Sequence, residues 1–116
     1  MPDPGPEPLL SVYENDPEMA EIVACFVSEM PERRSELAMA VDRGDVTHAA
    51  RIAHQLKGAV GGYGFESLGQ IAAATEHAVR DLADAGDSSV AALRAAASSL
   101  LAACERVQLS RNHAAA

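Results

Sequence analysis

The chain has 116 residues, room for one domain around one hydrophobic core. Apolar residues make up 48 % of it and aromatics only 3 %, an alanine- and leucine-rich balance that favours closely packed helices over strands. The formal net charge of −8 argues against a general nucleic-acid binder, which needs a basic surface, and disfavours an anionic membrane for the same reason.

Residues 1–8 carry four prolines and are expected to form a flexible tail or linker. They hold no basic region followed by an apolar run, so no signal peptide is expected, and no apolar stretch is long enough to span a bilayer. The expectation is a soluble cytoplasmic protein whose domain occupies residues 9–109. Leu9, Leu10, Val12 and Tyr13 should cover one end of it. Asp16-Pro17-Glu18 has the chemistry of a helix start: a capping aspartate, proline at the first helical position, then an acid. Ile22, Val23, Phe26, Val27 and Met30 follow at helical spacing, and Leu37, Ala38 and Val41 resume it after Pro31. One long helix kinked near Pro31 and ending at Gly44 is therefore predicted, with two helices broken there as the alternative.

Asp45 should cap a second helix, about residues 46–63, that ends at Gly64 in a left-handed turn. A third helix, about 66–85, has its apolar stripe at Leu68, Ile71, Ala72, Thr75, Val79 and Leu82 and stops at Gly86. Asp87 or Ser88 should cap the last helix, which uses Val90, Leu93, Ala97, Leu100, Cys104 and Val107. Residues 110–116 are expected to fray. Four amphipathic helices with short connections predict an all-α, antiparallel up-and-down four-helix bundle. Cys25 and Cys104 both sit among apolar residues at helical spacing, which predicts two buried free thiols; a disulfide is the alternative.

The second helix carries the chemistry. Ala49, Ala53, Leu56, Val60 and Tyr63 form its apolar face at 4-3-4-3 spacing. At about 100° per residue, His54 lies roughly 140° from the centre of that stripe and should face solvent. Thr47, Arg51, Gly58, Gly61 and Gly62 fall on the same outer side, and Lys57 flanks His54 as its i+3 neighbour. Each glycine costs about 0.8–1.0 kcal/mol against alanine inside a helix. Gly58 and Gly61 flank His54 on the outer side, so a docking role, letting a macromolecule approach the imidazole, is preferred over helix packing. No other histidine or cysteine has metal-ligand spacing, and no phosphate-cradling nucleotide motif occurs; no metal and no cofactor are expected.

His54-Gln55-Leu56-Lys57-Gly58, followed by small residues and by Gly64 ten positions after the histidine, resembles the histidine-containing phosphotransfer (HPt) domain. The resemblance runs from about Asp16 to Val107. It departs from the family at Gly61-Gly62-Tyr63-Gly64, where alanine or serine would be more usual. The resemblance implies a phosphocarrier of a two-component phosphorelay. His54 would accept a phosphoryl group at Nε2 from the aspartate of one response-regulator receiver domain and pass it to another, with a hybrid sensor histidine kinase as a further partner. The receiver would bring Mg²⁺. A neutral imidazole, with an ordinary pKa near 6.5, is a good nucleophile at neutral pH. Lys57, helped by Arg51, would stabilise the phosphoryl oxygens. Gly58, Gly61 and Gln55, with Phe26 and Met30 from the first helix, would form the docking patch. A monomer is expected, without an ATP site of its own. The alternatives are the dimerising phosphoacceptor bundle of a sensor kinase and a non-catalytic helical scaffold.

Overall fold

The computed structural model describes residues 8–107, apart from the side chains of residues 59–61. Four helices fill it: α1 (Ala20–Asp42), α2 (Val46–Tyr63), α3 (Glu66–Asp84) and α4 (Val90–Arg106). Each helix packs on its neighbours in the chain and α1 also packs on α4, while the diagonal pairs touch little or not at all. With connections this short, successive helices run antiparallel, giving the up-and-down four-helix bundle. The expected tails, except for Pro8, lie outside the described residues, as do the boundary near Leu109 and the side chains of Val60 and Gly61.

The helix ends follow local chemistry. Asp45 Oδ1 accepts the His48 N–H at 3.0 Å and so caps α2. Gly44, Gly64 and Gly86 all have positive φ and end the first three helices. Two boundaries differ from expectation. Asp16 does accept the Glu18 N–H, but it closes a preceding turn, and regular helix begins only at Ala20. The cap of α4 is Ser89, whose Oγ accepts from Ala92 N, while Asp87 accepts the Ser89 N–H and shapes the approach to it. Pro31 is exposed and lies inside a continuous α1, so the helix is not broken in two there. On the solvent side, water can satisfy the carbonyl that proline leaves without a donor.

The core is built of aliphatic and small residues: Val23, Leu37 and Val41 from α1, Ala49, Ala53 and Leu56 from α2, Leu68, Ala72 and Val79 from α3, Leu93, Ala97 and Leu100 from α4. Three aromatics cluster at one end, where Phe26 stacks on Tyr63 with ring centroids 4.7 Å apart and meets Phe65 at 5.5 Å. The segment before α1 covers that end, as expected. Val12 N donates to Gly64 O at 3.2 Å, Ser11 Oγ donates to Tyr63 O, and Leu9 pairs with Val107. Gly64 has φ +82°, and a Cβ there would lie 2.7 Å from Tyr13 and 2.8 Å from Ser11 Oγ. The α2–α3 turn can therefore be crossed this closely only with glycine at that position.

Three sequence expectations are corrected. Ile22 is exposed rather than part of the core stripe. Both cysteines are free, but only Cys104 is buried, and burial pushes its thiol up to about 11; Cys25 is exposed, one position round α1 from Phe26. Phe26 and Met30 are 3 % and 1 % exposed, so they belong to the core and are not available for docking.

Candidate functional site

Helix α2 turns its small apolar residues inward and leaves His54 on the outside with its side chain 61 % exposed. Arg51, Gln55, Lys57, Gly58 and Gly62 are exposed on the same helix. A Cβ added at Gly58 or Gly62 would meet no atom within 4 Å, so these glycines are not there to let helices pack. They leave bare backbone on the C-terminal side of the histidine.

A residue that sequence reading did not single out organises the site. Glu76 lies on α3 with its side chain only 8 % exposed, and its two oxygens collect three groups. His54 Nδ1 is 2.8 Å from Oε2, Lys57 Nζ is 2.8 Å from Oε1, and Arg80 approaches Oε2 through Nε at 3.0 Å and its terminal nitrogen at 2.8 Å. The Lys57 hydrogen bond, reinforced by Arg80 and His54, outweighs burial and lowers the Glu76 carboxyl from its ordinary 4.5 to about 2. Glu76 is therefore ionised at neutral pH and can only accept hydrogen bonds.

This fixes the tautomer of His54. With an ionised carboxylate at Nδ1, that nitrogen carries the proton and donates it, and in the neutral ring the lone pair resides on Nε2. Nε2 has no protein partner among the described residues. The arrangement is that of a histidine oriented and polarised by a carboxylate, with its second nitrogen free to attack. A signal for Glu76 existed in the sequence. It stands four residues after Ala72 and three before Val79, on the edge of the apolar stripe, with Arg80 one turn beyond.

Arg51 is not part of the Glu76 cluster and has no ion-pair partner among the described residues. It lines an open groove of about 550 Å³ that begins at His54 and runs between α2 and α3, with Arg80 on the opposite wall. Gln55 is exposed beside His54, and the surroundings of Gly61 lie outside the described side chains. Elsewhere, His48 faces Glu36 across α1 and α2 at 3.4 Å, away from this constellation. No helix in the described residues is long and apolar enough to cross a membrane.

Comparison with known proteins gives one family. The Hpt domain family model matches residues 21–109, most of the chain. No curated protein and no solved structure matches it.

Proposed function

The chain belongs to the Hpt domain family, whose members carry phosphoryl groups on histidine in phosphorelays, and we propose that His54 is its phosphoacceptor, charged by the aspartyl phosphate of one receiver domain and discharged to the aspartate of another. The observation that carries this is the bond from Nδ1 to the ionised Glu76, which leaves Nε2 as the nucleophile on an exposed side chain.

The chemistry balances on the residues present. Nε2 attacks phosphorus, the N–P bond forms, the P–O bond to the donor aspartate breaks, and that carboxylate leaves. The attacking ring keeps its Nδ1 proton and becomes cationic, and the Glu76 carboxylate faces that charge. That contact favours charging; on discharge the N–P bond breaks, a P–O bond to the accepting aspartate forms, and the ring leaves neutral with its Nδ1 proton in place. Lys57 and Arg80 stand on the same carboxylate and can turn to the phosphoryl oxygens as negative charge arrives. The receiver supplies Mg²⁺. The bare backbone at Gly58 and Gly62 provides the flat approach, with Gln55 beside it. The carrier acts as a cytoplasmic monomer, fed by a hybrid sensor kinase.

The test is incubation with a panel of phosphorylated receiver domains, followed by detection of label on this chain. Labelling of the wild type and none of His54→Gln, with the melting temperature of the variant unchanged, is expected. Label retained by His54→Gln, or no labelling of the wild type by any receiver, overturns the assignment.

A further inference from the structure

We infer that residues 9–13, laid across the end of the bundle, are a positioning strap for phosphoryl transfer: they hold the glycine-rich end of α2 in helical form and so keep Lys57 beside the phosphoacceptor. The inference rests on the carrier function proposed above. It extends the site to a segment that meets α2 at Tyr63, nine residues beyond His54 and about 13 Å along the helix.

The end of α2 is built from poor helix formers. Gly58, Gly61 and Gly62 are three of its last six residues, and glycine is the weakest helix former after proline. No basic residue in the last turn offsets the helix dipole. The last carbonyls of a helix have no partner within it. Here two successive carbonyls are met by the strap: Ser11 Oγ donates to Tyr63 O, and the Val12 N–H donates to Gly64 O at 3.2 Å. Ser11 Oγ also accepts the Tyr13 N–H at 3.0 Å, which folds the strap over Gly64. The strap is moored on the other side of the bundle by the Leu9 N–H, which donates to Arg106 O at 2.6 Å, and by the pairing of Leu9 with Val107. The Tyr63 ring, stacked on Phe26, is a second hold on the helix end.

Lys57 stands at the boundary of this weak stretch. In the hydrogen-bond pattern of an α-helix its carbonyl accepts from Gly61, four residues on. When the end of α2 unwinds back to Gly61, Lys57 loses the bond that fixes its own turn, and Nζ loses its 2.8 Å contact with Glu76 Oε1. His54 lies nearly one turn further in, and its bond to Glu76 survives. The strap itself is lightly bound. Val12 is 78 % exposed and Leu10 42 %, so little apolar burial holds it and its two hydrogen bonds to the end of α2 carry much of the contact. Its release removes a cation from beside the nucleophile without opening the core.

Ser11→Ala and Val12→Pro each remove one donor to the end of α2. Val12→Ala keeps the N–H, trims an exposed side chain and is the control. Backbone ¹³Cα shifts read helix content residue by residue in the full chain and need no receiver. In Ser11→Ala and Val12→Pro the shifts of residues 58–63 should move towards coil values while those of residues 47–54 stay helical. Adding Gly62→Ala, a better helix former in open space, should restore them. Val12→Ala should leave all of them unchanged. Single-turnover acceptance from a phosphorylated receiver, at a temperature where every variant is folded, should slow about five-fold or more in Ser11→Ala and Val12→Pro. On a Lys57→Ala background the same variants should slow it by less than about two-fold, because the contact they act through is already gone. Helical shifts kept at residues 58–63 in both strap variants would overturn the inference, whatever their melting temperatures. So would slowing of equal size with and without Lys57, or an effect of Val12→Ala as large as that of Val12→Pro. A wild type that no receiver labels counts against the carrier reading alone, and the shifts still judge the strap.

Discussion

Replacing Glu76 by glutamine tests the centre of the site, because the substitution keeps shape and removes charge. The carboxyl is lowered from 4.5 to about 2, which by linkage corresponds to at most about 3 kcal/mol at 1.36 kcal/mol per unit. The partners Lys57, His54 and Arg80 have 43 %, 61 % and 58 % of their side chains exposed, so water screens the pairs and about 1–2 kcal/mol is a fairer magnitude. For a domain of this size that lowers the melting temperature by roughly 5–10 °C. The sign with pH follows from a depressed folded-state pKa. The stabilisation is complete above pH 4.5 and is lost as pH falls towards 2.

Urea unfolding of wild type and Glu76→Gln at pH 7, 4 and 2.5 should therefore show a gap that is widest at pH 7 and reduced to roughly a quarter at pH 2.5. Phosphoryl acceptance should fall about ten-fold or more in Glu76→Ala, the scale on which histidines lose function without their orienting partner. Long-range ¹H–¹⁵N correlation above pH 8 should report the Nδ1–H tautomer in the wild type and a loss of that preference in Glu76→Ala. Equal stability of wild type and Glu76→Gln at pH 7, or a gap that widens towards acid, would refute the reasoning.

Gly58→Ala should raise stability by up to about 1 kcal/mol because the site is open, whereas Gly58→Gln should slow transfer several-fold at an undiminished melting temperature; a drop in stability in either variant would place that position in packing contact. Gly64→Ala forces a side chain into the left-handed region, which alone costs about 1–2 kcal/mol, and sets it against Tyr13 and Ser11, so the melting temperature should fall clearly; an unchanged value would show that the covering segment gives way. Label on the chain should be lost in mild acid and survive in base, as a phosphoramidate does; acid-stable label would move the phosphate to a serine or threonine.

The parts of the fold that were legible in the sequence are those decided locally. Asp45 as a cap, Gly44, Gly64 and Gly86 as terminators, and the outward face of His54 need only the identity and spacing of neighbours along one helix. The parts that were missed depend on a second helix. Arg80, one turn along α3, is a local partner of Glu76, but His54 and Lys57 come to it from α2, twenty-two and nineteen residues away, and nothing within α3 alone reveals them. Phe26 and Met30 share a core stripe with Val23, Leu37 and Val41, and that periodicity within α1, rather than nearness to His54, decides that they are buried. Cys25 illustrates the same periodicity from the other side. One residue from Phe26 is 100° of rotation, enough to move a thiol from core to solvent.

The scarcity of aromatics then has a consequence for function as well as for fold. The α2–α3 pair has the most extensive contact of any two helices in the bundle, and several of the buried residues near the site are small, Ala49, Ala50 and Ala53 on α2 and Ala72 on α3, beside the larger Ile52, Leu56 and Val79. Small side chains let two helices approach closely, and the approach is what allows one carboxylate on α3 to reach both His54 and Lys57 on α2 at 2.8 Å. Larger residues in that seam would fill a core equally well but would hold Glu76 away from the imidazole. The same small side chains, Ala50 at the floor and Ala83 at the wall, leave the groove open beside the nucleophile. The few aromatics are gathered instead at the far end, around Phe26, Tyr63 and Phe65, about 13 Å along α2 from His54. Bulk that anchors the bundle is thus kept apart from the alanine seam that orients its histidine.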